Sequence, residues 1–76
     1  MSNKHKILVI EDDRELRGAL TDQLSLYEEY EAVAAENGNK GVQMAKTEQI
    51  DLVIMDVGLP DIDGREAARI LRRKRF

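Results

Sequence analysis

Two short apolar runs in this chain stop abruptly at carboxylates. Ile-Leu-Val-Ile at 7–10 is followed by Glu11, Asp12 and Asp13, and Leu-Val-Ile-Met at 52–55 is followed by Asp56. A β-branched run of this length without helical spacing reads as a buried strand, and the sudden acids mark where the backbone leaves the sheet for a polar loop. Between the two runs the period changes. Leu16, Leu20, Leu24 and Tyr27 recur at four, four and three residues, which predicts an amphipathic helix from Arg14, with Asp13 placed to cap its first turn. Residues 30–36, Tyr-Glu-Ala-Val-Ala-Ala-Glu, are short and closed by the turn signal Asn37-Gly38. They read as a second strand, although alanine favours helix.

The next segment, 39–47, is expected to be a helix capped by Asn39, with a thin apolar face from Val42 and Ala45 and weakened by Gly41. Residues 50–55 then show the nearly unbroken apolar pattern of a strand covered on both faces of a parallel sheet. Gly58, Pro60 and Gly64 make 57–64 a loop, after which 65–75 reads as a helix with Ala67, Ala68, Ile70 and Leu71 inward. The order β-α-β-α-β-α implies right-handed crossovers and an α/β fold built on a doubly wound parallel sheet.

Composition narrows the chemistry. The 76 residues allow at most one domain, and a chain this short buries only about 60% of its unfolded surface. With no cysteine there is no disulfide scaffold, thiolate zinc site or thiol catalysis, and a single histidine, His5, leaves no multi-histidine metal cluster and makes a Ser/His/Asp triad a poor expectation. No apolar run exceeds four residues, and the first six, Met-Ser-Asn-Lys-His-Lys, lack the features of a secretory signal. The expectation is a cytoplasmic protein without a membrane segment. The net charge of −3 conceals a split: residues 1–64 hold six basic and fourteen acidic groups, whereas 65–76 hold six basic and one acidic.

In doubly wound sheets ligands bind at the carboxyl ends of the strands, at a topological switch point. If the first and third strands are neighbours, Glu11, Asp12, Asp13 and Asp56 converge there. Their mutual repulsion calls for a hard cation, and oxygen-only ligation completed by water suits Mg²⁺ or Mn²⁺. A carboxylate beside such a cation can act as a nucleophile toward a phosphoryl group whose charge the metal neutralises. The plainer reading of any one of these acids is a solvated loop or cap residue, as for Asp13. Three acids at the ends of two apolar strands weigh against it.

These residues resemble a family. Lys-Ile-Leu-Val-Ile-Glu-Asp-Asp-Arg-Glu-Leu-Arg at 6–17 and Asp-Leu-Val-Ile-Met-Asp-Val-Gly-Leu-Pro-Asp-Ile-Asp-Gly at 51–64 are similar to the first- and third-strand motifs of the receiver domain of bacterial two-component response regulators. The resemblance extends over essentially the whole chain, 1–76. It implies a flavodoxin-like, CheY-like sheet of order 2-1-3, and since receivers have five strands and five helices, this chain is expected to stop before the fourth strand as an incomplete receiver. It further implies that Asp56 is the phospho-acceptor, taking a phosphoryl group from a sensor histidine kinase in a phosphorelay. Mg²⁺ would be held by Asp12 and Asp56 directly, by Glu11 through water and by the backbone carbonyl of Gly58. Asp13 and Asp61 fall outside that set. The protein would be a signalling module rather than an enzyme, and DNA would be a partner only through an effector domain following it. The family's Ser or Thr ending the fourth strand, and its aromatic and Lys on the fifth, have no counterparts here.

Rival matches are poorer. An EF-hand loop with Gly64 as its sixth residue would begin at Leu59 and need an acid where Ile70 stands. Asp61-Ile62-Asp63-Gly64 resembles the haloacid-dehalogenase signature, but there the first Asp ends a buried strand, and Asp61 follows Gly-Leu-Pro. A dinucleotide-binding unit would need a glycine-rich turn where the first strand runs into acids. Arg69, Arg72, Arg73, Lys74 and Arg75 read more simply as a helix end complementing the macrodipole than as a nucleic-acid patch. The Leu16/Leu20/Leu24 stripe reads as core packing before partner contact, and Arg14 and Arg17 serve either partner contact or solubility. The alternative to signalling, from a different class, is a non-phosphorylated fragment that self-associates through its third strand, which would be an open edge in a three-strand sheet.

Overall fold

The computed structural model describes residues 4–55. Within them the chain runs β1 (His5–Ile10), α1 (Arg14–Ser25), β2 (Tyr30–Ala35), α2 (Gly38–Thr47) and β3 (Leu52–Met55). The three strands form one parallel sheet of order β2-β1-β3, the α/β doubly wound arrangement expected from the sequence. The segment expected to be a third helix, 65–75, and the loop 57–64 lie outside the described residues. Among the described residues no helix is long and apolar enough to cross a membrane.

β1 is the hub. Every residue from His5 to Ile10 pairs with one in β2, from Tyr30 to Ala35, and Ile7 to Ile10 pair in turn with Leu52 to Met55. With a neighbour on each side and a helix over each face, Leu8, Val9 and Ile10 are fully buried, and each contributes about 1.5–3 kcal/mol of hydrophobic stabilisation. Side chains alternate across the sheet. Leu8, Ile10 and Ala35 join Val42, Ala45 and Ile50 in the main core, with Val33, Met44, Val53 and Met55 packed against it. Ile7 and Val9 point to the opposite face. The step from β1 to β2 and the step from β2 to β3 cross the sheet in opposite senses, so right-handed crossovers place α1 and α2 on opposite faces.

Several boundaries differ from the sequence expectation, each for a local reason. α2 is capped by Asn37 rather than Asn39: Asn37 is extended (φ −151°, ψ 170°) and its side-chain oxygen accepts from the Lys40 amide at 2.8 Å. The Asn37-Gly38 pair is therefore a helix start as well as a turn. Gly41, expected only to weaken α2, is the point of closest approach. A β-carbon there would overlap Cδ1 and Cγ1 of Ile10, the latter at 2.6 Å, so glycine lets the helix settle on β1. α1 ends at Ser25, leaving Tyr27 beyond it, where its ring meets that of Tyr30 edge-on at 5.7 Å. The leucine stripe of α1 is only partly inward: Leu20 and Leu24 are half-buried and Leu16 is 47% exposed.

β3 departs most from expectation. It begins at Leu52, two residues later than the apolar pattern suggested, and it is covered on one face rather than two. Val53 and Met55 meet the core beneath α2, whereas Leu52 and Ile54 remain 53% and 36% exposed. The cause is topological: α1 crosses from β1 toward β2 and packs on those two strands, away from β3. Ile50, outside the strand, is nevertheless buried, because Asp51 ties the start of β3 to β1. The Asp51 amide donates to the Lys6 carbonyl at 2.8 Å, and the Lys6 amide donates to Asp51 Oδ2 at 2.7 Å.

Candidate phosphoryl-acceptor site

The parallel register brings the carboxyl ends of β1 and β3 level, with Ile10 paired to Met55. Both strands thus leave the sheet at one end, where β1 runs into Glu11, Asp12 and Asp13. Glu11 continues the ladder, its amide donating to the Ala35 carbonyl at 3.1 Å, and it is 7% exposed, the one buried charged residue among those described. A buried carboxylate requires a partner. Glu11 Oε2 accepts the Asp13 amide at 3.1 Å. Asp13 then acts as the expected N-cap: its Oδ1 accepts the Leu16 amide at 3.1 Å and its carbonyl accepts the Arg17 amide at 2.8 Å. Arg17 closes the circuit by donating from Nη1 to the Glu11 carbonyl at 2.8 Å.

The circuit leaves one side chain over. Asp12 is exposed, and its carboxylate has no hydrogen-bond or ion-pair partner among the described residues. None of the three successive acids forms an ion pair within that region. Two carboxylates, one fixed and buried and the other free and exposed, at the end of a rigid strand suit a hard cation that keeps several waters. Glu11 and Asp12 are the described part of the expected ligand set; Asp56 and Gly58 lie outside the described residues. Among the described residues, no group of three or more histidines or acids is arranged to hold a metal, so the two acids that follow β1 would need further ligands.

Arg17 is the side chain whose bond to this loop the sequence reading missed, having left it to partner contact or solubility. The available signal was its place in the first turn of a helix whose cap is Asp13, which returns a long side chain to the preceding loop.

Comparisons with known proteins decide the family. Residues 7–75 match the model of the response regulator receiver domain. The chain belongs to that family. It is 43% identical over 68 residues to the transcriptional regulatory protein AfsQ1 of Streptomyces coelicolor, a match covering 88% of this chain and 29% of AfsQ1. Among solved structures it resembles response regulator TrrA of Thermotoga maritima in complex with Mg²⁺–BeF, with 37% identity and a TM-score of 0.86 over 93% of this chain and 61% of that one. It matches equally well a chain in the complex of histidine kinase ThkA with TrrA, at 37% identity and a TM-score of 0.84 over 93% of this chain and 60% of that one. The receiver-domain chain therefore spans less than a third of AfsQ1 and about three-fifths of the solved TrrA chain. The 2-1-3 parallel sheet is the one its relatives share.

Proposed function

We propose that this receiver domain takes a phosphoryl group from a sensor histidine kinase onto Asp56, with Mg²⁺ held by Glu11, Asp12, Asp56 and the Gly58 carbonyl. The observation carrying this reading is the register of β1 with β3. Met55 is level with Ile10, so β3 reaches the end of the sheet at which Glu11 is fixed and Asp12 has no partner among the described residues. TrrA, a relative with the same fold, has been captured with Mg²⁺ and BeF and also in complex with the kinase ThkA, which supports both the cation and the partner class. In the transfer, an Asp56 carboxylate oxygen bonds to phosphorus as the P–N bond to the donor imidazole breaks; the electron pair of that bond stays on the leaving nitrogen, and the ring departs as neutral imidazole with its proton on the other nitrogen. Mg²⁺ supplies neutralisation of the phosphoryl oxygens. Glu11 and Asp12 hold the cation, and the bonds from Asp13 and Arg17 keep the loop from rearranging.

Fluorine NMR of the chain with beryllofluoride tests the reading. A bound signal is expected only when Mg²⁺ is present, and it should vanish in Asp56→Asn. No bound signal at saturating Mg²⁺ would sink it.

A second reading rests on the exposed Leu52 and Ile54 and on β3 pairing, among the described residues, with β1 alone. Such a strand can add a second copy of itself. On that reading light scattering gives dimers or larger species; a dilute monomer counts against it.

A further inference from the structure

The three acids that follow β1 are placed by a hydrogen-bond circuit in which Arg17 is the one cation. Its Nη1 donates to the Glu11 carbonyl at 2.8 Å, and its own amide donates to the Asp13 carbonyl at 2.8 Å. One residue of α1 therefore grips the loop on both sides of Asp12. The Glu11 side chain is held by the Asp13 amide, and the Asp13 side chain is held by the Leu16 amide. The side chains of Glu11 and Asp13 are thus each held by a backbone amide, while Asp12's carboxylate takes part in none of these bonds. Arg17 is half-buried and has no carboxylate partner among the described residues, so its guanidinium is committed to a backbone oxygen rather than to a neutralising pair.

We infer that Arg17 is a positioning residue for the cation site: by fixing the Glu11-Asp12 peptide it presents the Asp12 carboxylate toward the metal. The inference rests on the Mg²⁺ reading of Glu11 and Asp12 given above. Two physical roles predict opposite signs. A cation beside the acids weakens Mg²⁺ binding by repulsion, so if charge alone mattered its removal would tighten the metal. A group that fixes ligand geometry strengthens binding, and losing such outer support typically costs about tenfold to a hundredfold in metal affinity. The planar guanidinium also holds a fixed direction that an ammonium does not.

Mg²⁺ titration of the full chain followed by amide NMR shifts, at low and moderate salt, separates these roles for wild type, Arg17→Met and Arg17→Lys. Positioning predicts that Arg17→Met raises the Mg²⁺ dissociation constant about tenfold, with Arg17→Lys between it and wild type. The Asp12 and Asp13 amides should exchange faster in Arg17→Met before any metal is added. Tighter binding in Arg17→Met, most marked at low salt, would overturn the inference in favour of simple repulsion. Unchanged affinity with a lowered melting temperature would overturn it in favour of a purely structural tie. If Arg17→Met does not fold, Arg17→Lys decides: an affinity equal to wild type overturns the inference and a weaker one supports it. A wild-type chain that fails to bind Mg²⁺ removes the site reading and this inference together, whereas equal binding by wild type and Arg17→Met removes this inference alone.

Discussion

The two ends of the sheet both carry acids, and they treat them oppositely. At the amino end the Lys6 ammonium lies 3.1 Å from Glu48 and 3.8 Å from Glu31, Asp51 accepts the Lys6 amide, and His5 Nδ1 stands 3.9 Å from Asp51. Each of these three acids has a cation or donor within reach, and the result is a clasp joining β1, β2 and the two ends of the α2–β3 connection. At the carboxyl end Glu11, Asp12 and Asp13 follow one another with no ion pair among the described residues, and their order comes from backbone donors and Arg17. Paired charge ties the strands together at one end, and at the other, where the described acids have no ion pair, we propose that a cation binds. The proposed function thus sits where charge is left uncompensated among the described residues.

The largest expected effect breaks the carboxyl end alone. Asp12→Asn should lose Mg²⁺ binding by calorimetry while the metal-free protein melts no lower than wild type, because the change relieves repulsion among neighbouring acids and removes no partner. A clear drop in metal-free stability would mean that Asp12 is structural and that the two ends are not so different.

A smaller change acts from beneath the site. Gly41→Ala adds a methyl where Ile10 already stands, directly before Glu11. Overpacking of this kind costs about 1–3 kcal/mol, against about 1 kcal/mol gained from alanine's helix propensity, so a net loss in urea unfolding is expected. Gly18→Ala is the control, since nothing lies within 4 Å of its added carbon, and it should be stabilising. If both alanines stabilise, the close contact of α2 with β1 is wrong.

The smallest effect sharpens the amino end. The hydrogen bond that Lys6 donates to Glu48 holds the Lys6 ammonium's pKa above its ordinary value of 10.5, opposed by partial burial and assisted by Glu31. A base whose value is raised on folding contributes its stabilisation fully below the unfolded value and loses it as pH rises through the folded one. Wild type should therefore lose a modest advantage over Lys6→Met only above about pH 10.5, and salt should shrink that advantage at neutral pH. Mg²⁺ affinity should be the same in both. A Lys6→Met chain with altered Mg²⁺ binding would show that the two ends are coupled.

Much of this was legible in the residues. The acids after Ile10 and Met55 mark the end of the sheet where we propose the site, and the helical period after Arg14 and the Asp13 cap were read correctly because local chemistry decides both. What escaped was tertiary. Alternation cannot tell that α1 would cross away from β3, so Leu52 and Ile54 looked covered on both sides when one face is open. Propensity marked Gly41 as a weakness because it does not register the approach of Ile10. Asn39 was preferred to Asn37 as the cap because a turn signal and a helix start share the same residues. Arg17 looked like a surface charge because its partner is a backbone oxygen, and a backbone oxygen leaves no mark in a sequence.

The central claim is that the uncompensated end of the sheet is a Mg²⁺-dependent phosphoryl-acceptor site. Intact mass after incubation with a small-molecule phosphodonor, with and without Mg²⁺, tests it most directly. The account predicts the increment of one phosphoryl group on wild type only with Mg²⁺, and none on Asp56→Asn or Asp12→Asn. An increment that survives in Asp56→Asn, or an unmodified wild type at saturating Mg²⁺ and donor, would contradict it.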